Sequence, residues 1–173
     1  MALVTEDGTG KADAESLISV VDADTYFSAR ADTVWTALTT AAKEAALRKA
    51  TDYMQATFAL CWAGMRVTTT QALDWPRAWV PRKDAPSGYR SSTAYYVSTS
   101  VPVAVQRACA ELAVRASAAP LSPDVGAQVK SETVGPISVV YADGARQSDN
   151  YRAIDAMLAP FLKGGGSIPV IRA

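Results

Sequence analysis

Leu47, Ala50, Met54, Phe58 and Cys61 step along the chain by 3, 4, 4 and 3 residues, and Lys43, Arg48, Lys49 and Asp52 fall largely off that register. Such spacing puts one apolar stripe on a helix running from about Thr40 to Ala59. A single stripe cannot be left in water, so the chain must supply partners for it. It has two. "VAVQRACAELAVRASA" places Val105, Cys109, Leu112 and Ala116 on one face, with Ser100 as the expected N-cap, Pro102 in the first turn and Pro120 as the stop. A last segment, about Asp149 to Leu162, brings Tyr151, Ile154, Leu158 and Phe161 at helical spacing, and Pro160 should kink it or cut it short. The predicted core is Leu47, Met54, Phe58, Val105, Leu112, Ile154 and Leu158, with Trp75 closing one end.

The remaining segments are shorter. Leu17, Ile18, Val20 and Val21 suit a short strand or extended anchor. Asp22 then reads as the N-cap of a helix through Arg30 with Tyr26 and Phe27 inward, followed by a connector into which Trp35 packs. After Pro123 the period changes: "VKSETVGPISVVYADG" holds two β-prone runs about Gly135-Pro136, a hairpin over 129–142. Residues 80–99 are polar, aromatic and unperiodic, and read as a protruding loop or irregular hairpin that makes contacts between molecules. The expected architecture is a mainly α helical bundle over residues 1–163, with that long loop insertion, the small β-hairpin, and a flexible linker and extended C-terminal tail over 164–173.

Composition narrows the chemistry. Histidine is absent, which removes Ser-His-Asp and Cys-His nucleophiles, His-bearing zinc sites and histidine pH switches. The two cysteines, Cys61 and Cys109, are too few for a structural zinc cage and read as small buried hydrophobes. The close carboxylates, Asp22 with Asp24 and Glu6 with Asp7, occupy capping or loose positions with no second acid across a cleft. "GGG" follows a helix instead of opening one, so it is a linker and not a phosphate loop. Catalytic residues, cofactor and metal are therefore all expected to be none. No apolar run approaches the ~20 residues of a membrane span and "MALVTEDGTG" lacks signal-peptide features, so a soluble intracellular protein is expected.

One stretch stays ambiguous on its residues alone. "QALDWPRAWVPRK" alternates aromatic and basic side chains, as a clamp for a single strand of nucleic acid would, yet it equally suits a proline-stiffened loop whose rings plug the core. Trp62, Trp75 and Trp79 are the candidates for ligand stacking. From 62 to 90, five bases (Arg66, Arg77, Arg82, Lys83, Arg90) stand against two acids, a local +3. The first 24 residues hold six acids against Lys11, a local −5. Lysine plus arginine equals aspartate plus glutamate, 17 against 17, so the whole chain is neutral. Neutrality argues against a main partner of bulk phosphate backbone, and the opposed ends suit head-to-tail contact between copies.

"ALRKATDYMQATF", "WAGMRVTTTQALDWPRAWV" and "VPVAVQRACAELAVRA", followed by "VKSETVGPISVVYADG" and "AIDAMLAPFLKG", together resemble head–tail adaptor (connector) proteins of tailed bacteriophages, some of whose relatives are labelled DnaT-like single-stranded-DNA-binding proteins. The most specific element is Trp62-x-Gly64 followed by Gln71-Ala72-Leu73-x-Trp75-Pro76-Arg77. The resemblance implies a virion neck subunit, assembled in the host cytoplasm. It forms a homo-oligomeric ring, usually of twelve copies, beneath the portal protein, prolongs the channel for passing double-stranded DNA without sequence-specific binding, and docks a stopper or tail-completion protein. It implies no membrane partner and no enzyme. On this reading Trp75 packs on the helices, Pro76 and Pro81 stiffen the loop, and Arg66, Arg77, Arg82, Lys83, Arg90, Tyr89, Tyr95 and Tyr96 face a neighbouring subunit or the channel. The tail residues Ser167, Ile168, Pro169, Val170, Ile171 and Arg172 read on their own as a partner-binding strand, and the resemblance implies that the partner is portal or an adjacent subunit. The rival is a single-stranded-DNA-binding protein, which needs a continuous basic groove with exposed rings.

Overall fold

The helical stripes meet as their spacing requires. The structure, a computed structural model, describes residues 2–85, 94–123 and 151–164, together with the backbone of 131–134 and 137–140. Helix α1 spans Val20–Ser28, α2 Thr33–Thr36, α3 Thr40–Phe58, α4 Val103–Ala118 and α5 Arg152–Leu158. Strands β1 (Met65–Arg66) and β2 (Arg77–Ala78) form one antiparallel ribbon, and β3 (Ser131–Val134) and β4 (Ile137–Val140) another. The β3–β4 register, Ser131 to Val140 through Val134 to Ile137, is that of the expected hairpin; its turn, Gly135-Pro136, lies outside the described residues.

The α3–α4 pair is the spine, with α5 packed on α4 and α1 set against α2, α3 and α4. All eight predicted core side chains, Leu47, Met54, Phe58, Val105, Leu112, Ile154, Leu158 and Trp75, are buried. Trp35 is buried as well, on the Phe27 ring, and its Nε1 donates to Asp24 Oδ1 at 2.6 Å. Pro160 ends α5 without breaking the packing, because the chain tightens into a 3₁₀ turn over Ala159–Phe161 that keeps Phe161 inside.

Several boundaries depart from expectation. Val20 and Val21 belong to α1, not to an anchor strand, because Ser19 takes the cap. Its Oγ accepts the Asp22 N–H at 3.0 Å and donates to Asp22 Oδ2 at 2.6 Å, so Asp22 sits in the first turn and braces the cap. Ser19→Ala should therefore lower stability by about 1 kcal/mol in chemical denaturation, with α1 the segment that loses amide protection. At α4, Pro102 holds the cap position with no side-chain bond, and Ser100 instead donates to Val97 O. Cys61 is exposed, since α3 stops at Phe58 and the following turn carries the thiol past the end of the stripe. Cys109 is buried 3.4 Å from Thr51 Oγ1, and burial pushes its pKa up to about 11, which leaves it protonated and inert.

The N-terminal arm is the largest surprise. Glu6, expected in a loose position, is buried, and its carboxylate accepts the backbone N–H of Gly8 (2.8 Å), Gly10 (2.8 Å) and Lys11 (2.9 Å). Gly8 adopts φ +102° against the chain at Thr99, where a Cβ would stand 2.0 Å from the carbonyl oxygen. Leu17 and Ile18 then enter the core. The arm is thus an integral layer of the subunit.

Candidate interaction surface

The stretch around Trp75 is a small folded unit built on its polar groups. Gln71, buried, accepts Thr68 N–H through Oε1 at 2.9 Å and donates through Nε2 to Leu73 O (2.8 Å) and Pro76 O (3.1 Å). One side chain thereby fixes three points of a loop that has no regular ladder. The Trp75–Pro76 peptide is cis. Asp74, also buried, accepts Trp62 Nε1–H at 3.2 Å and pairs with Arg66 at 2.8 Å. Arg77 spreads its guanidinium over three backbone carbonyls: Nε to Ala63 O (2.8 Å), Nη1 to Asp74 O (3.1 Å) and Nη2 to Gly64 O (3.0 Å). Gly64 lies at φ +67°, with a notional Cβ 2.2 Å from Ala78 O, so only glycine lets β1 approach β2 there. The resemblance's most specific residues are therefore the fasteners of one unit. Trp62, Trp75 and Phe161 fill its interior edge to face, with centroids 5.6 and 5.8 Å apart.

This settles the ambiguity of the sequence for two of the three tryptophans. Trp62 and Trp75 are inside and cannot stack on a ligand. Trp79 is outside, 63% exposed, with its ring edge-on to Tyr95 at 5.4 Å. Of the residues expected to face a neighbour or the channel, Arg77 must be corrected. At 7% exposure it serves the interior, since three carbonyls needed a planar five-donor group. Burial lowers its pKa. Arg66 is half-exposed but committed to Asp74. Tyr96 is half-buried on Phe161, with ring centroids 4.9 Å apart and the Arg82 guanidinium 5.5 Å from its own ring. Arg82, Lys83 and Tyr95 are exposed, and Lys83 Nζ donates to Ala159 O at 2.8 Å. Tyr89, Arg90 and Ser167 to Arg172 lie outside the described residues.

The base of the expected protruding loop is likewise part of the body. Val80 is fully buried, Tyr96 N–H donates to Val80 O and Arg82 N–H to Ala94 O. The charge asymmetry also shrinks on folding. Lys11–Asp7 (3.0 Å), Arg48–Glu15 (2.9 Å) and Lys43–Asp24 (2.8 Å) neutralise much of the acidic arm within the subunit. Thr9 and Lys11 together hold Asp7 down to about 2.

Among the described residues, no group of three or more His, Cys, Asp or Glu is placed to hold a metal, and no helix is long and apolar enough to cross a membrane. An open groove of about 840 Å³ runs between the second half of α3 and the end of α4, lined by Tyr53, Ala56, Ala116, Pro120 and Leu121 among others. Its lining also includes the polar side chains of Lys49, Asp52, Thr57, Ser117 and Ser122. In the Trp62–Arg77 unit, side-chain hydrogen bonds to the backbone converge and hold the loop.

The profile of a family described as "Putative DnaT-like ssDNA binding protein" matches residues 1–173. The chain belongs to that family. No curated protein and no solved structure matches it. Within this DnaT-like chain, the exposed aromatic chemistry that the description would call on is confined, among the described tryptophans, to Trp79.

Proposed function

We propose that the protein is a head–tail adaptor subunit of a tailed bacteriophage. Its copies, twelve by the resemblance, close into a ring under the portal, extend the DNA channel, and present a face to the stopper or tail. The observation that carries this reading is the internal use of the aromatic–basic stretch. Trp62, Trp75 and Arg77 are spent on holding β1, β2 and the bundle together, and Arg66 is paired. What remains is a stiff, neutral helical block, suited to a conduit through which DNA slides without being gripped. In this reading residues 167–172 bind portal or an adjacent subunit, and Arg82 and Tyr95 lie at subunit boundaries.

A second reading, binding of single-stranded DNA, is favoured by the family description, by the exposed Trp79–Tyr95 pair and by Arg82 over the next ring in the chain, Tyr96. One experiment separates the two. The purified protein is mixed with portal and imaged by negative stain, and in parallel titrated with a labelled oligonucleotide across a salt series. Rings seated on portal, with little oligonucleotide binding, are expected. Tight binding that weakens steeply with salt, without rings, would overturn the adaptor assignment. Arg82→Glu should impair ring formation while leaving the subunit's melting temperature within a few degrees, because Arg82 is exposed and its contact with the Tyr96 ring, at 5.5 Å, is long. Rings of normal yield would remove Arg82 from the boundary.

A further inference from the structure

Trp79 occupies the left-handed region at φ +61°, a conformation seldom adopted by a residue other than glycine. Its neighbours in the chain explain the effect. Arg77 and Val80 are buried, and the left-handed residue between them leaves the indole in solvent. There it is not loose, because Tyr95 braces it at an interplanar angle of 86° and Pro81 bridges to Tyr95 across the backbone. A large ring set in water against one neighbouring ring, at a left-handed backbone position, is the kind of anchor that dominates protein interfaces.

We propose that the Trp79–Tyr95 pair is the seat for the Ile168–Ile171 segment of a second copy of this chain. Three observations select that occupant. The segment reads Ile168-Pro169-Val170-Ile171 behind Gly164-Gly165-Gly166, so it is apolar, too short to bury its own side chains, and set off from the bundle in sequence by three glycines. Pro169 donates no N–H, which interrupts plain strand addition, whereas proline between aliphatic residues packs well on aromatic faces. The direction of the chain then points to another copy. Ala63 N–H donates to Phe161 O, Trp62 bridges Leu162 in antiparallel sense, and Lys163 N–H donates to Cys61 O. Residues 161 to 163 therefore run from the Gly64 side toward Leu60. Gly64 is the point that touches Ala78 and Trp79, so residues 161 to 163 run away from the chain's own aromatic pair.

The proposal shares with the adaptor reading the need for self-association, and its test keeps the two apart. A fluorescent peptide of residues 164–173 is titrated into the full-length chain carrying Ile168→Asp and Ile171→Asp, so that its own tail cannot compete, and anisotropy is read. Saturable binding is expected, weakened at least about tenfold by Trp79→Ala and also weakened by Tyr95→Ala. Val21→Ala, at an exposed apolar position on α1, should leave it unchanged. Circular dichroism establishes that each variant is folded. Absence of binding to the folded chain overturns the proposal, as does binding indifferent to Trp79→Ala, or an oligonucleotide that occupies Trp79 where the peptide does not. Trp79-dependent peptide binding without rings on portal would remove the adaptor reading alone. Rings unaffected by both Trp79→Ala and the tail substitutions would remove this one alone.

Discussion

Arg77→Ala should destabilise the subunit strongly, with a loss of about 3–5 kcal/mol in chemical denaturation. The guanidinium reaches carbonyls of Ala63, Gly64 and Asp74, which belong to two chain segments also joined by the two-residue β1–β2 ribbon, by Trp62 and Arg66 on Asp74 and by the Trp62–Trp75 ring contact. Each hydrogen bond to a charged donor contributes about 1.5–3 kcal/mol, and the carbonyls left behind would be buried without partners. The three bonds act as one unit, so their sum is not realised in full. Set against a total stability of about 5–15 kcal/mol, the loss is large. Arg77→Lys should recover less than half of it, since an ammonium on a flexible stem cannot present a planar fork to three carbonyls. A lysine variant as stable as the parent would show that charge alone holds the unit. Charge reversal at Arg77 consequently reports on folding, and Arg82 is the position at which it reports on assembly.

The contrast between those two arginines shows what the sequence made legible. Periodicity located the helix faces correctly, because Leu47, Met54, Phe58, Val105 and Leu112 are buried for the one reason that periodicity measures. It overran at Cys61, where the stripe continues in sequence for three residues after α3 has ended. Both Ser19 and Asp22 are good capping residues, and nothing in composition ranks one above the other. Counting charges treats every arginine as solvated, so it could not find Arg77 inside, nor the ion pairs that neutralise the N-terminal arm. Glu6 was missed for the same reason. The spacing Glu6-x-Gly8-x-Gly10 was a readable signal, since glycines on either side of a turn free the backbone N–H groups to converge on a carboxylate. The unit that decides the site, Gln71 to Arg77, has no period at all and is legible only as a set of hydrogen bonds.

Trp75→Ala should cost about 3–5 kcal/mol, the range for emptying a large aromatic site, and Trp75→Phe well under half of that. The asymmetry follows from the indole nitrogen. Trp75 is fully buried between Trp62 and Phe161, and its Nε1–H has no hydrogen-bond acceptor among the described residues. A buried donor without a partner costs about 1–3 kcal/mol, so phenylalanine removes that penalty while keeping a ring edge-on to both neighbours. Trp62 makes the opposite comparison. Its Nε1–H donates to Asp74 Oδ2, and Trp62→Phe would leave that buried carboxylate with Arg66 as its main partner. The expected order of destabilisation is Trp75→Ala greatest, Trp62→Phe next and Trp75→Phe least, read from denaturation midpoints at equal slope. Reversal of the last two would mean that the Trp75 nitrogen has found an acceptor and that the ring cluster, not the Asp74 network, is the weaker part of the unit. If the order holds, phenylalanine at 75 also leaves Trp79 as the one exposed indole beside two buried ones, which makes its quenching by acrylamide a direct readout of whatever docks on the aromatic pair.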